Sequence, residues 1–191
     1  MLQYKQIREF YFVDTFFAIS KAGKSSRGNT CCQLFVSHKG FVFFDQMKRK
    51  SEVSLALKLF VKEIGAPDAI ICDASGKQKS KEVRKFCHQI GTTLRYLEEI
   101  TPWANLSELY IGLIKESIRK YMKSSNCPLV FWEYWSERRA RINNITDKNL
   151  FQLEGQTLHF TVTGEEADIS NLCQFDWYQW CYFREQKSDF P

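Results

Sequence analysis

Three apolar runs rich in aromatic and β-branched residues, near 10–18, 30–37 and 40–46, are followed by alternating helical and strand patterns. That order restricts the chain to a mixed sheet with helices on both faces, because leading hairpin strands pair antiparallel while strands separated by helices pair parallel. Lys39-Gly40 marks the turn between the second and third strands. A helix is predicted from Ser51, its N-cap with Glu52 behind it, to Gly65, with Val53, Leu57, Phe60, Val61 and Ile64 as its apolar stripe. A strand over 68–73, a helix near 80–90, a strand over 92–97 and helices over 104–123 and 128–144 complete a five-stranded α/β core. Beyond Thr146 the pattern loosens. There LHFTVT and WYQWCYF read as strands, so 1–146 is expected to be the core and 147–191 a small β-rich extension.

Three acids stand out by context. Asp14 interrupts the strand-like run FYFVDTFFAI, where a carboxylate is costly unless something pairs with it. Asp73 ends the run DAIICD before the turn signal Ala-Ser-Gly, which places it at the carboxyl edge of a sheet, where ligands of α/β folds collect. Glu108 follows Thr101-Pro102-Trp103-Ala104-Asn105 and opens a helix whose apolar residues are Leu109, Leu113, Ile114, Ile118 and Met122. Each has a structural alternative: a core ion pair, a turn aspartate, a first-turn glutamate complementing the helix dipole. Oxygen ligands of this kind suit magnesium, which needs only a few carboxylates plus substrate phosphate.

With SSRGNTCCQLFV, SHKGFVFFDQMKRKSEV and TPWANLSE beside these acids, residues from about Phe10 to Asn144 resemble the catalytic core of retroviral and retrotransposon integrases. The similarity is greatest to the copia type, within the RNase H-like superfamily, and TGEEADIS with FDWYQWCYFRE looks like the continuation of such a polyprotein. The resemblance implies a DDE triad of Asp14, Asp73 and Glu108 holding two magnesium or manganese ions. It also implies polynucleotidyl transfer, in which water cuts near the 3′ end of the element's DNA and the freed hydroxyl then attacks target DNA. A homo-oligomer acting on double-stranded DNA in the nucleus, after a cytoplasmic particle stage, is implied with it. Domesticated DNA-binding modules and RNase H-like nucleases without strand transfer share the same pattern.

Thirty-four residues lie between Asp73 and Glu108, one fewer than the commonest family spacing, so Glu98, Glu99 and Glu116 compete for the third position. Lys115, two turns after Glu108 on one helix face, matches a family lysine that meets DNA phosphate. Arg119, Trp103, Asn105, Lys77 and Lys79 are the further DNA-contact candidates. Leu106 and Ser107 after Asn105 depart from the glycine frequent in the family's mobile loop.

The net charge of +5 favours a polyanionic partner. Basic residues cluster at Lys21–Arg27, Lys48–Lys50 and Gly76–Lys85, and two of these runs flank the acids in sequence; taken alone, such runs are more often solvated surface. The seven cysteines include no C-x-x-C pair and the three histidines are isolated, so neither a zinc site nor a disulfide framework is expected. The cysteines read as reduced, mostly buried thiols of an intracellular protein. No apolar run approaches the length of a membrane span.

Overall fold

A computed structural model describes residues 4–18, 23–73, 80–97, 106–146, 153–170, 172 and 176–179. Strands β1 (Gln6–Phe17), β2 (Cys31–Ser37), β3 (Val42–Met47), β4 (Ala66–Cys72) and β5 (Thr93–Tyr96) make one sheet in the order β3-β2-β1-β4-β5. β1, β2 and β3 pair antiparallel, whereas β4 runs parallel to β1 and β5 parallel to β4. Helices α1 (Val53–Glu63) and α2 (Lys81–Gln89) follow β3 and β4, and α3 (Leu106–Ser124), α4 (Trp132–Ile145) and α5 (Leu158–Thr163) follow β5.

Alternation along β1 sends side chains into two cores. Tyr11 and Val13 join Phe35, Phe60, Val61, Val83 and Phe86 beneath α1 and α2. Phe16 joins Leu34, Val36, Val42 and Phe44 beneath Ile114, Ile118, Met122, Trp132 and Trp135 of α3 and α4. β2 lies between these two layers and is buried along its whole length, which explains its nearly continuous apolar sequence. Each large apolar side chain sealed this way contributes about 1.5–3 kcal/mol.

Local chemistry sets the element ends. Gly40, at φ +94°, closes the β2–β3 hairpin, and its N–H donates to the Ser37 carbonyl at 2.9 Å. Gly65 sits at φ +131°, where a Cβ would stand 2.6 Å from the Lys5 carbonyl oxygen, so only glycine lets α1 turn into β4. β4 begins at Ala66, earlier than the apolar run indicates, and admits Pro67 because the β1–β4 register shifts beside it, between Ile7 and Phe10. Ser80 caps α2, its Oγ accepting from the Val83 N–H at 3.3 Å. Ser51, by contrast, is not the cap of α1. It lies in a 3-10 turn, Lys50–Glu52, and the helix proper begins at Val53, because the Glu52 carboxylate folds back to accept from the Lys48 N–H at 2.9 Å.

At the far end of α4, Asn144 clasps the outer edge of β3. Its Oδ1 accepts from the Val42 N–H at 2.8 Å and its Nδ2 donates to the Val42 carbonyl at 2.7 Å, satisfying backbone groups that an edge strand leaves open.

The expected C-terminal strands are not strands where they are described. LHFTVT is α5, capped by Thr157, whose Oγ1 accepts from the Phe160 N–H at 3.1 Å, and ended by Gly164 at φ +80°. Leu158 and Val162, four residues apart and therefore on one helix face, enter the same core as Phe60, with Leu153 beside them. Lys5 ties the end of this helix to the start of the sheet, its Nζ donating to the Val162 carbonyl at 3.1 Å. Within WYQWCYF, Trp177 and Tyr178 form a turn closed by Asp176 and Gln179, and the Trp177 ring packs edge-on against Trp135 at 5.0 Å. The rest of that segment lies outside the described residues.

Candidate active site

The parallel register aligns Val13 with Cys72, which brings Asp14, still within β1, level with Asp73, the residue just past β4. Strand spacing is about 4.8 Å, so the register sets the two aspartates at neighbouring strand ends, and the charge of Asp73 reaches Asp14. The Asp14 face is the one covered by α3, since Phe16, two residues beyond Asp14, packs into that core. The location is the carboxyl edge of the parallel pair, since β4 ends at Cys72.

Asp14 is partly buried, and burial is the main cause that pushes its carboxyl above the ordinary aspartate range. A hydrogen bond from the Thr15 N–H, at 2.7 Å, and the charge of Lys50 oppose the rise, while Glu108 and Asp73 add to it. Asp14 therefore senses both of the other acids. Glu108 is exposed in the first turn of α3 and Asp73 is exposed at the strand end. Among the described residues, however, no group of three or more histidine, cysteine, aspartate or glutamate side chains is gathered closely enough to hold a metal ion. Two adjacent hard-oxygen donors still fit a cation that takes one or two carboxylates and completes its shell with water and substrate phosphate.

α3 reaches this edge by packing Ile114, Ile118 and Met122 on the sheet, with Trp135 Nε1 donating to Ser117 Oγ at 3.0 Å to fix its roll. Lys115 lies on α3, two turns after Glu108. It is half-buried, with its ammonium over the Phe16 ring, 5.9 Å from the centroid, so its stem packs on the core. Arg119 is exposed one turn further on, as is Glu116, which competes with Glu108 in the sequence. Trp103, Asn105, Lys77, Lys79, Glu98 and Glu99 lie outside the described residues.

Lys50 is the residue at this edge that sequence reasoning did not single out. It belongs to the 3-10 turn after β3 and comes near Asp14 because β3 and β1 flank β2, a neighbourhood visible only once the strands are ordered. The KRK run was its one signal. The five described cysteines are buried and form no disulfide with one another, and no described helix is long and apolar enough to cross a membrane. Two cavities, about 370 and 490 Å³, lie away from this edge, one beside Tyr121 and Trp135 and the other beside Phe43 and Asn144.

No protein-family model matches the chain, and no curated protein matches it. Solved structures do. The catalytic core domain of HTLV-2 integrase in complex with magnesium, in its trimeric form, superposes with a TM-score of 0.60 at 20% identity, covering 84% of this chain and 99% of that one. Its dimeric form gives 0.59 at 18% identity, covering 83% and 98%. The simian T-cell lymphotropic virus intasome in complex with PP2A regulatory subunit B56 gamma gives 0.62 at 18% identity, covering 84% of this chain and 60% of that one. The fold is thus the RNase H-like fold of retroviral integrase catalytic cores, with its five-stranded mixed sheet.

Proposed function

We propose that this chain is an integrase catalytic core of the copia-type retrotransposon class, carrying out metal-dependent polynucleotidyl transfer on double-stranded DNA. The observation that carries the reading is the β1–β4 register, which runs to Val13 and Cys72 and so sets Asp14 beside the strand end that Asp73 follows, with Glu108 in the first turn of the helix that covers the Asp14 face. The carboxylates of Asp14 and Asp73 would hold the ions, magnesium or manganese, and Glu108 would join them from α3. When bound, two such ions activate the attacking oxygen and stabilise the leaving one. Asp14, within a strand hydrogen-bonded on both sides, is held rigidly, whereas Asp73 and Glu108 sit at element ends that adjust to a substrate. Lys115 and Arg119 take backbone phosphates along α3, joined by Trp103, Asn105, Lys77 and Lys79. The core works as a homo-oligomer on element ends and target DNA in the nucleus.

The test is strand transfer and 3′-end cleavage of an oligonucleotide duplex with magnesium or manganese, in wild type and Asp73→Asn. Neutralising one carboxylate removes a metal ligand and leaves the shape of the edge nearly intact, so the variant is expected to lose both reactions. Unchanged metal-dependent cleavage by Asp73→Asn would overturn the assignment. Cleavage that depends on Asp73, without joining of the product to target DNA, would reduce the function to an RNase H-like nuclease.

A further inference from the structure

The carboxyl edge carries an aromatic surface that the acids do not use. Phe17 ends β1, three residues beyond Asp14, and is 53% exposed. Lys50 stands over its ring, Nζ 5.8 Å from the centroid, within cation–π range, while its charge also reaches Asp14. Lys48 and Arg49, both exposed, extend the positive charge from the same turn. Aromatic faces beside cations are the parts from which proteins build sites for unpaired nucleotides, because any base offers a π-face once it is unstacked, whereas a paired base does not.

From this juxtaposition we infer that Phe17 and the Lys48–Lys50 turn form a subsite for an unpaired segment of DNA strand beside the acids, with a base stacking on Phe17 and a phosphate meeting Lys50. The inference rests on the transfer reading for its substrate, DNA. Three residues of strand cover about 10 Å. That is about three nucleotides at the duplex spacing of 3.4 Å and fewer once the strand is unstacked and extended, so a strand entering at Asp14 reaches Phe17 within its first few nucleotides. Asp14 and Phe17 alternate to opposite faces of β1, and the cation between them lies where a strand rounding the edge of the sheet passes from one to the other. The subsite therefore selects a frayed or overhanging end over a blunt duplex.

The experiment measures binding of a duplex with a short single-stranded 3′ overhang, carrying a fluorescent base analogue in the overhang, and of the matching blunt duplex. Both are titrated in EDTA at several salt concentrations, so that no cleavage is needed. Phe17→Ala is expected to weaken overhang binding about tenfold, the worth of one stacked base, and to leave the blunt duplex unchanged. Phe17→Trp is expected to restore affinity, with its indole fluorescence quenched by the overhang. Lys50→Gln is expected to reduce the salt slope for the overhang by about 0.7, one single-strand phosphate. Equal affinities of wild type and Phe17→Ala for the overhang would overturn the inference, as would an equal loss on both duplexes. If Phe17→Ala fails to fold, the Phe17→Trp quench decides alone, and its absence overturns the subsite. A quench with no metal-dependent cleavage by wild type would retain the subsite and reject the transfer reading.

Discussion

Asp45 offers a quantitative check on the electrostatics around this sheet. It lies on β3, the edge strand, and its carboxyl is pushed up to about 6, first by burial and then by the charges of Glu63 and Glu52 at the two ends of α1. The Gln46 N–H opposes the rise. The folded state thus binds a proton here more tightly than the unfolded chain does. Stability from this group is present in full below the unfolded value of about 3.9 and is lost as pH rises through about 6. A rise of about two pH units corresponds to at most about 3 kcal/mol at neutral pH, and partial solvent access cuts that to about 1–2 kcal/mol. Asp45→Asn keeps an oxygen for the Gln46 N–H and removes the charge, so it is expected to be more stable than wild type by about that amount at pH 7.5. For a chain of this length the gain is about 2–8 °C in melting temperature. The assay is thermal unfolding followed by circular dichroism from pH 4 to pH 8 for both proteins. The two melting temperatures should converge as pH falls towards 4, separate between about 4 and 6, and stay apart by a constant amount above that. A constant difference across the range, or a less stable variant at pH 7.5, would refute the reasoning, because either would mean that the carboxylate is compensated where it stands.

Lys115→Ala is expected to lower the slope of log affinity for duplex DNA against log salt by about 0.9, one phosphate contact, and to cost less than about 1 kcal/mol of stability from the stem packed over Phe16; equal slopes in wild type and variant would remove it from the DNA surface. Leu158→Ala is expected to cost about 2–5 kcal/mol and to lower a single cooperative melting transition, since Leu158 is 1% exposed in the same core as Phe60; an unchanged main transition would make 147–191 an independent extension.

Much of the sheet was legible because its strands announce themselves locally. β2 reads as a buried strand from its apolar run, and the hairpin from Lys39-Gly40. The failures came where two periods overlap. In LHFTVT the apolar residues at 158, 160 and 162 alternate as a strand would, yet Leu158 and Val162 are equally a helical pair, and the choice falls to Thr157 and Gly164, which cap a helix and not a strand. Ser51 had the chemistry of a cap, but the Glu52 carboxylate took the role of bracing the turn through the Lys48 N–H. Lys50 was illegible as a site residue for a different reason: nothing local to KRK says which strand will lie opposite it.

The location of the acids, in contrast, follows from topology more than from any motif. The chain leaves β1 towards β2 and β3 on one side of the sheet, and returns to β4 and β5 on the other. The strand order thus reverses between β1 and β4, and the carboxyl end of such a switch point is where ligands of α/β sheets collect. Asp14 lies on β1, one residue beyond the last paired position, Val13–Cys72, and Asp73 follows directly on the end of β4. Had either acid sat one residue earlier or later, strand alternation would have turned it to the α1 face, where Asp45 already shows how burial raises a carboxyl that has no cation to meet. Parity and topology together set Asp14 on the face that α3 covers and Asp73 at the neighbouring strand end, and the charges of both Glu108 and Asp73 reach Asp14 there.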